Sequence, residues 1–166
     1  MKKIFFIVAF LITITFQYSF AQDNPKVTPL TQLLISYYGI KNALVSSNVK
    51  TAAVYAGELL KAISDIDKKA ISETNMNAVV LLQDKLIFDA KHITENNSIE
   101  AQREYFSSLS NNIYKLAKAV KLSAEPVYQE YCPMKKMYWL SSETVIKNPY
   151  YGKAMLTCGK VTDTLK

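Results

Sequence analysis

The feature that most constrains this fold is a spacing of three and four residues between apolar side chains, which recurs through the first two thirds of the chain. This spacing places apolar side chains along one face of an α-helix. Four such faces can be traced. They consist of Leu30, Leu33, Tyr37, Ile40 and Leu44; of Val49, Ala52, Ala53, Ala56, Leu60 and Ile63; of Val79, Leu82, Leu86, Ala90 and Ile93; and of Ile99, Phe106, Leu109, Ile113, Leu116 and Val120. Four helices with short joints predict a mainly α fold, an up-down four-helix bundle over about residues 28–122.

Polar residues mark where these helices begin. Thr28 and Pro29 suit the N-cap and the first position of the first helix. Either Ser47 or Asn48 can cap the second helix, and Ser98 can cap the fourth. The helix boundaries are therefore predicted by local chemistry.

The N-terminus has the features of a secretory signal peptide. Two lysines precede the apolar run Ile4–Phe16, and Ser19 and Ala21 are small residues at the −3 and −1 positions of a cut after Ala21. We expect residues 1–21 to be cleaved after Ala21 and the protein to be exported to the periplasm. Residues 22–27 are predicted to be a disordered lead-in, and residues 28–166 a single domain, with no later segment apolar enough to span a membrane.

Charge and motif content exclude several classes of function. The formal net charge is +6, and removal of the leader with its two lysines leaves +4, spread along the chain. Nucleic-acid binders cluster their basic residues, so we expect no nucleic-acid partner. His92 is the only histidine, and the chain contains no phosphate-binding loop or nucleophile elbow. The sequence therefore predicts that this protein is not an enzyme.

The tail, residues 126–166, has a different character. Pro126 ends the helical pattern, and the alternation within Val127–Tyr131 predicts a short extended piece. Prolines and glycines farther on predict a mostly irregular segment. Such a segment can hardly have a core of its own, so we expect it to pack on the bundle through aromatic side chains. These are Tyr128, Tyr131, Tyr138, Trp139, Tyr150 and Tyr151.

The tail also carries most of the sulfur. Both cysteines and three of the five methionines lie there. Cys132 and Met134 would point to the same side of an extended segment, and one helical turn would bring Met155 and Cys158 together. If the two segments meet, two thiolates and two thioethers form a site, with Met137 as a fifth sulfur. Because soft sulfur ligands select Cu(I), the first hypothesis is a Cu(I) or Ag(I) site.

The alternative is a non-catalytic interaction module whose cysteines form a structural disulfide. A Cys132–Cys158 bond would close a loop of about 26 residues and stabilise the fold by ~3 kcal/mol in the chain-entropy model. Trp139 would cover a bound cation in the first hypothesis. In the second, Trp139 and Tyr150 would belong to a docking surface. The two hypotheses are compatible, since a redox-labile pair could switch metal binding on and off.

The tail motifs resemble the C-terminal signature of a bacterial family catalogued as domain of unknown function 3347. The matching motifs are Tyr131-Cys132-Pro133-Met134, Tyr138-Trp139-Leu140-Ser141, Asn148-Pro149-Tyr150-Tyr151-Gly152 and Met155-Leu156-Thr157-Cys158-Gly159. Upstream, Ile99–Arg103 and Ala43–Val45 also fit. The gap before Tyr138 is shorter than in the family and lacks its glycines, so Met137 is an extra sulfur. The resemblance implies an exported protein linked to copper or silver efflux, with an efflux adaptor or another envelope protein as partner.

Overall fold

The structure is a computed structural model, and it describes residues 28–66 and 73–166. The expected signal peptide and the lead-in after it, residues 1–27, lie outside the described residues. Among the described residues, no helix is long and apolar enough to cross a membrane.

Four α-helices form the body of the described part of the chain. They are α1 (Pro29–Val45), α2 (Val49–Ser64), α3 (Glu73–Glu95) and α4 (Ile99–Ala119). Each helix packs against the next, and the rings of Tyr37 in α1 and Phe106 in α4 stack with centroids 5.1 Å apart. The predicted mainly α four-helix fold is therefore confirmed.

The predicted helix starts are confirmed by their caps. The side chains of Thr28, Asn48 and Ser98 each accept a hydrogen bond from the backbone N–H three residues later. Asn48 rather than Ser47 is therefore the N-cap of α2. Ser47 lies in the turn before the cap and has a positive φ of 56°. Pro29 occupies the first turn, where its missing N–H costs no hydrogen bond.

The tail is more regular than its prolines and glycines suggest. It contains three strands, β1 (Val127–Cys132), β2 (Met137–Ser141) and β3 (Lys160–Leu165), in an antiparallel sheet ordered β2-β1-β3. The extended piece expected at Val127–Tyr131 is confirmed as β1. Between β2 and β3 the chain is irregular except for a short 3-10 turn, Gly152–Met155.

The sheet packs on the bundle, as expected for a tail without its own core. The backbone N–H of Leu140 in β2 donates to the Tyr37 hydroxyl of α1 at 2.8 Å. That hydroxyl also shares a 2.8 Å hydrogen bond with Ser110 of α4. Leu140 and Trp139 are buried in the same core as the helix residues. One outward N–H of the edge strand β2 is thereby satisfied by the bundle.

Gln102 joins the ends of three helices. Its side-chain Nε2 lies 3.1 Å from the carbonyl oxygen of Val49, 2.9 Å from that of Ile93 and 3.0 Å from that of Asn96. Its side chain is fully buried. The amide therefore ties the first turn of α4 to the start of α2 and the end of α3.

Arg103, the next residue, ties the bundle to the tail. Its Nε donates to the carbonyl oxygen of Pro149 at 2.8 Å. Its Nη2 donates to the carbonyl oxygen of Leu44 at 3.2 Å and to the Ser47 hydroxyl at 3.1 Å. One planar guanidinium thus holds the end of α1, the joint after it and the tail in one arrangement.

Replacing Arg103 with methionine is expected to lower the free energy of unfolding by about 2–3 kcal/mol, because part-buried acceptors lose their donors. The measurement is urea unfolding followed by circular dichroism. Lys115→Met, an exposed change on the same helix, is the control and should shift stability by less than about 0.5 kcal/mol. Equal effects of the two changes would show that the Arg103 hydrogen bonds contribute nothing.

Candidate functional site

The two cysteines lie side by side in the folded tail. Cys132 ends β1 and is fully buried, whereas Cys158 precedes β3 and is partly exposed. Their Sγ atoms are 3.8 Å apart. The structure therefore brings together two residues that are 26 positions apart in the sequence.

Asn148 positions the loop that carries Cys158. Its fully buried side chain donates from Nδ2 to the Cys158 carbonyl oxygen at 2.6 Å. Its Oδ1 accepts from the backbone N–H groups of Tyr150 and Tyr151 at 2.8 and 3.2 Å. The backbone N–H of Asn148 donates to the carbonyl oxygen of Leu156. The side chain and backbone of Asn148 thus hold together the start of the loop, at Tyr150 and Tyr151, and its end, at Leu156 and Cys158.

Of the three tail methionines, Met137 has the clearest relation to the thiols. It pairs directly with Cys132 across the β1–β2 ladder. Directly opposed side chains share a face, with Cβ atoms about 4.5–5.5 Å apart. Met137 is half-buried, while Met134 in the hairpin turn is 64% exposed. Met155 lies in the 3-10 turn at the surface, and its carbonyl oxygen accepts from the N–H of Cys158.

The environment of Cys158 favours the neutral thiol. Loss of water around the sulfur raises its pKa, and the neighbouring Cys132 raises it further. The backbone amide of Met134 acts in the opposite direction and lowers the pKa. A metal ion bound here would therefore displace a proton from Cys158, so its affinity would rise with pH.

Trp139 and Tyr150 belong to the core of the tail. Both are buried, and their rings meet edge-to-face with centroids 5.9 Å apart. The indole also lies against the backbone after Cys158: its Cη2 is 2.8 Å from where a Cβ on Gly159 would stand. The expectation that these two rings offer an exposed docking surface is wrong, because the tail uses them to cover its own sheet.

A buried polar cluster lies beside the thiols on the same face of the sheet, and the sequence did not predict it. Glu130 in β1 is fully buried opposite Trp139. Among the described residues, neither Glu130 carboxyl oxygen has a hydrogen-bond partner, and the same holds for the Tyr38 hydroxyl and the Trp139 N–H. Lys41 of α1 is buried nearby. The sequence signal that could have indicated this cluster is Lys41 itself, a charged residue on the apolar side of α1.

Burial controls the ionisation of this cluster. Desolvation raises the pKa of Glu130 to about 7. The positive charge of Lys41 and the N–H group of Trp139 act in the opposite direction and favour the ionised carboxylate, although the Trp139 N–H makes no hydrogen bond to it. Desolvation also lowers the pKa of Lys41, which the Glu130 charge partly offsets. The two groups are coupled electrostatically, and no salt bridge within 4 Å joins them in the described residues.

The candidate site is a sulfur site. In the part of the chain that the structure describes, no group of three or more His, Cys, Asp or Glu side chains could hold a metal ion. A metal here would therefore depend on Cys132, Cys158 and thioethers. Such a ligand set fits Cu(I) or Ag(I) better than a harder ion.

Fold and site together define an α-helical bundle whose last helix is followed by a small sheet carrying a paired-thiol site. The chain belongs to the family described as "Protein of unknown function (DUF3347)", whose family model matches residues 33–125. The match covers most of α1, all of the helices after it and the segment before β1, and the sulfur-bearing sheet follows it. No match was found among curated proteins or among solved structures.

Proposed function

We propose that this protein binds a soft metal ion, Cu(I) or Ag(I), through Cys132 and Cys158, with Met137 as the nearest thioether. The observation that carries the proposal is the 3.8 Å separation of the two Sγ atoms. The proposed setting is the periplasm, where the protein would serve metal efflux or resistance. The expected signal peptide and the efflux-linked members of the family support that setting.

The separation of the thiols suits a single bridging ion. With metal–sulfur bonds of about 2.3 Å, as in zinc thiolates, a 3.8 Å separation corresponds to a sulfur–metal–sulfur angle of about 110°. This angle lies between those of tetrahedral and trigonal sites. The separation of the two sulfurs is therefore compatible with one ion bound by both.

The methionines would complete the coordination to different degrees. Strand pairing holds Met137 opposite Cys132, which supports Met137 as the proposed third ligand. Met134 and Met155 flank the thiols at the surface, where an exposed thioether can close over an incoming ion. Their proposed contribution is smaller, because each must lose side-chain freedom on binding.

The test is an anaerobic Cu(I) titration of the reduced mature protein against a chromophoric chelator. We expect one ion per chain and loss of binding in the Cys132→Ser/Cys158→Ser variant. Met137→Leu should weaken Cu(I) binding by at least about tenfold, because loss of a direct ligand should cost no less than the loss of an outer-shell partner. Met134→Leu and Met155→Leu should weaken it less, and Met76→Leu on α3 is the matched control. Failure of the reduced protein to compete for Cu(I) would overturn the proposal.

The second candidate is a structural disulfide in an interaction module, and the same proximity of Cys132 and Cys158 favours it. Thiol counting on the protein before reduction distinguishes the two functions. No detectable thiol, together with no competition for Cu(I) after reduction, would make the disulfide the role of this pair. The search would then turn to partners such as an efflux adaptor or another envelope protein.

A further inference from the structure

The net positive charge of the mature chain is carried by its tail. Residues 132–160 contain five lysines and one acidic residue, which gives a net charge of +4. The whole chain has a net charge of +6, two of which belong to lysines of the expected leader, so the rest of the mature chain sums to zero. The acidic residue, Glu143, is paired with Lys147 at 2.7 Å. The charge therefore resides on four residues that we call the tail lysines, which are Lys135, Lys136, Lys153 and Lys160.

Two of the tail lysines stand in the turn between β1 and β2. Lys135 and Lys136 are both exposed, and their turn also contains Met134. The backbone amide of Met134 acts on the Cys158 thiol, and the Met134 side chain is 64% exposed. This turn therefore carries two ammonium groups and an exposed thioether into the neighbourhood of the partly exposed thiol.

The other two tail lysines lie on the segments that lead into and out of Cys158. Lys153 is in the 3-10 turn that ends at Met155, whose carbonyl oxygen accepts from the Cys158 N–H at 3.1 Å. Lys160 follows Cys158 by two residues and opposes Tyr131 in the β1–β3 ladder. Both lysines are exposed, and neither salt bridge of the described residues involves a tail lysine. The three segments that border Cys158 thus contribute positive charge and no carboxylate.

A cleft beside the β1–β2 turn has the size of a small-molecule site. Its volume is about 400 Å³, and its walls include Lys135 and Met137, the proposed thioether ligand. On the α4 side of the cleft, Glu100 and Glu104 stand beside Arg103, so both signs of charge are present there. Positive charge prevails only on the tail side. An occupant that approaches the sulfur atoms therefore meets lysines.

The tail lysines fit the charge of a thiolate-bound metal ion. Soft ions such as Cu(I) and Ag(I) prefer thiolate ligands, and one such ion held by two thiolates is an anion, because two negative charges exceed one positive charge. Cys158 is partly exposed, whereas Cys132 is fully buried. A metal complex that arrives from solution therefore meets Cys158 first.

We propose that the metal reaches this site as a small anionic bis-thiolate complex, which the tail lysines attract and Cys158 binds first. This inference rests on the proposed function, because it names the metal donor for the same site. In the first exchange the Cys158 sulfur bonds to the metal, its proton passes to one thiolate of the donor, and that thiol leaves. Cys132 then displaces the second thiolate in the same way. The metal keeps its oxidation state, and the total charge is unchanged.

The experiment compares two small thiol donors of Cu(I) that differ in charge. With 3-mercaptopropionate the bis-thiolate complex is an anion, and with cysteamine, whose amine is protonated, it is a cation. Stopped-flow fluorescence follows uptake by the reduced mature protein, because Trp139 is the only tryptophan and lies against Gly159, next to Cys158. At about 10 mM salt, the anionic donor should transfer Cu(I) at least about tenfold faster. The two rates should converge at about 500 mM salt, where the field of the lysines is screened.

Two variants with equal loss of charge show where the attraction originates. Replacing the four tail lysines with glutamine should abolish the advantage of the anionic donor, since charges at the rim of a site control the rate of association. The matched control replaces four exposed lysines outside the tail and should keep that advantage; these are Lys50, Lys61, Lys115 and Lys121. Equal rates from the two donors at low salt, or the same loss in both variants, would overturn this inference alone if the protein still binds Cu(I) at equilibrium. Failure to compete for Cu(I) at equilibrium would overturn the proposed function and this inference with it.

Single cysteine variants test the order of the two exchanges. Cys132→Ser keeps the partly exposed thiol, so the anionic donor should still react faster than the cationic one. Cys158→Ser leaves only the buried thiol and should slow uptake at least about tenfold, because a buried sulfur is poorly accessible to an incoming complex. Slower uptake in Cys132→Ser than in Cys158→Ser would overturn entry at Cys158.

Discussion

Replacing Trp139 with alanine is expected to lower the free energy of unfolding by about 3–5 kcal/mol, the range found for large aromatic residues in protein cores. Trp139 is the only tryptophan and is fully buried. It packs against Tyr150 and lies beneath Gly159. Its loss would leave a cavity between the sheet and the loop that carries Cys158, so the thiol pair would also lose its support.

The contrast with phenylalanine separates packing from polar effects. Trp139→Phe keeps most of the apolar contact and removes an indole N–H that has no partner among the described residues. Its cost should be about 1–2 kcal/mol, clearly below that of alanine. Urea unfolding should be followed by circular dichroism at 222 nm, because both variants lack the fluorescent probe. A loss under about 1 kcal/mol for Trp139→Ala would contradict the buried position.

The second large effect is a fall in stability as the pH rises from about 4.5 to about 7. The pKa of Glu130 is about 7 in the folded protein, against 4.5 for an unperturbed carboxyl group. Between these values the folded state binds more protons than the unfolded chain. The free energy of unfolding therefore decreases with pH, by at most about 3 kcal/mol for a shift of this size. The stabilisation is complete below the lower pKa and is lost above the upper one.

Glu130→Gln isolates this contribution. It keeps the shape of the side chain and cannot ionise, so the difference in stability between variant and wild type should grow with pH in the variant's favour. Asp89, whose pKa is also raised by burial, contributes equally to both proteins and cancels. Urea midpoints at half-unit pH steps provide the measurement. Parallel pH profiles would show that Glu130 has an ordinary pKa.

Lys41→Met should shift the pH range over which ionisation of Glu130 lowers the stability of the fold. Lys41 is the largest influence that lowers the pKa of Glu130, whereas Glu143 raises it and Lys147 lowers it. Without the ammonium group, the pKa of Glu130 should rise and the fall in stability should extend to higher pH. If the pH at the midpoint of the fall in stability is the same in Lys41→Met as in the wild type, the two buried groups are not coupled.

The helical part of the fold was predictable because its signals are local. Cap residues such as Asn48 and Ser98 act on N–H groups three positions away. The three-four spacing reports which face of each helix is buried, and Leu33, Phe106 and Leu109 are fully buried as that spacing indicates. The sequence around Gln102 and Arg103 resembles a family motif, but only the structure shows that these side chains join separate segments.

The candidate site was predictable in its composition and only partly in its geometry. The sequence shows that Cys132 and Cys158 share one tail, and the alternation before Cys132 indicates a strand. It does not show β2, whose Trp139, Leu140 and Ser141 are all buried and so lack an alternating pattern. Pairing with β1 and packing on the helices determine that strand, and neither is a local property.

By itself, the sequence determined four amphipathic helices, three of them with their caps, one strand and a tail rich in sulfur and aromatic residues, because helix periodicity and capping depend on neighbours within one turn. Only the tertiary structure decided that Cys158 reaches Cys132, that Trp139 is core and that Glu130 is buried near Lys41. These outcomes depend on contacts between residues far apart in the chain. Burial and the electrostatic environment exist only once the sheet has packed on the bundle.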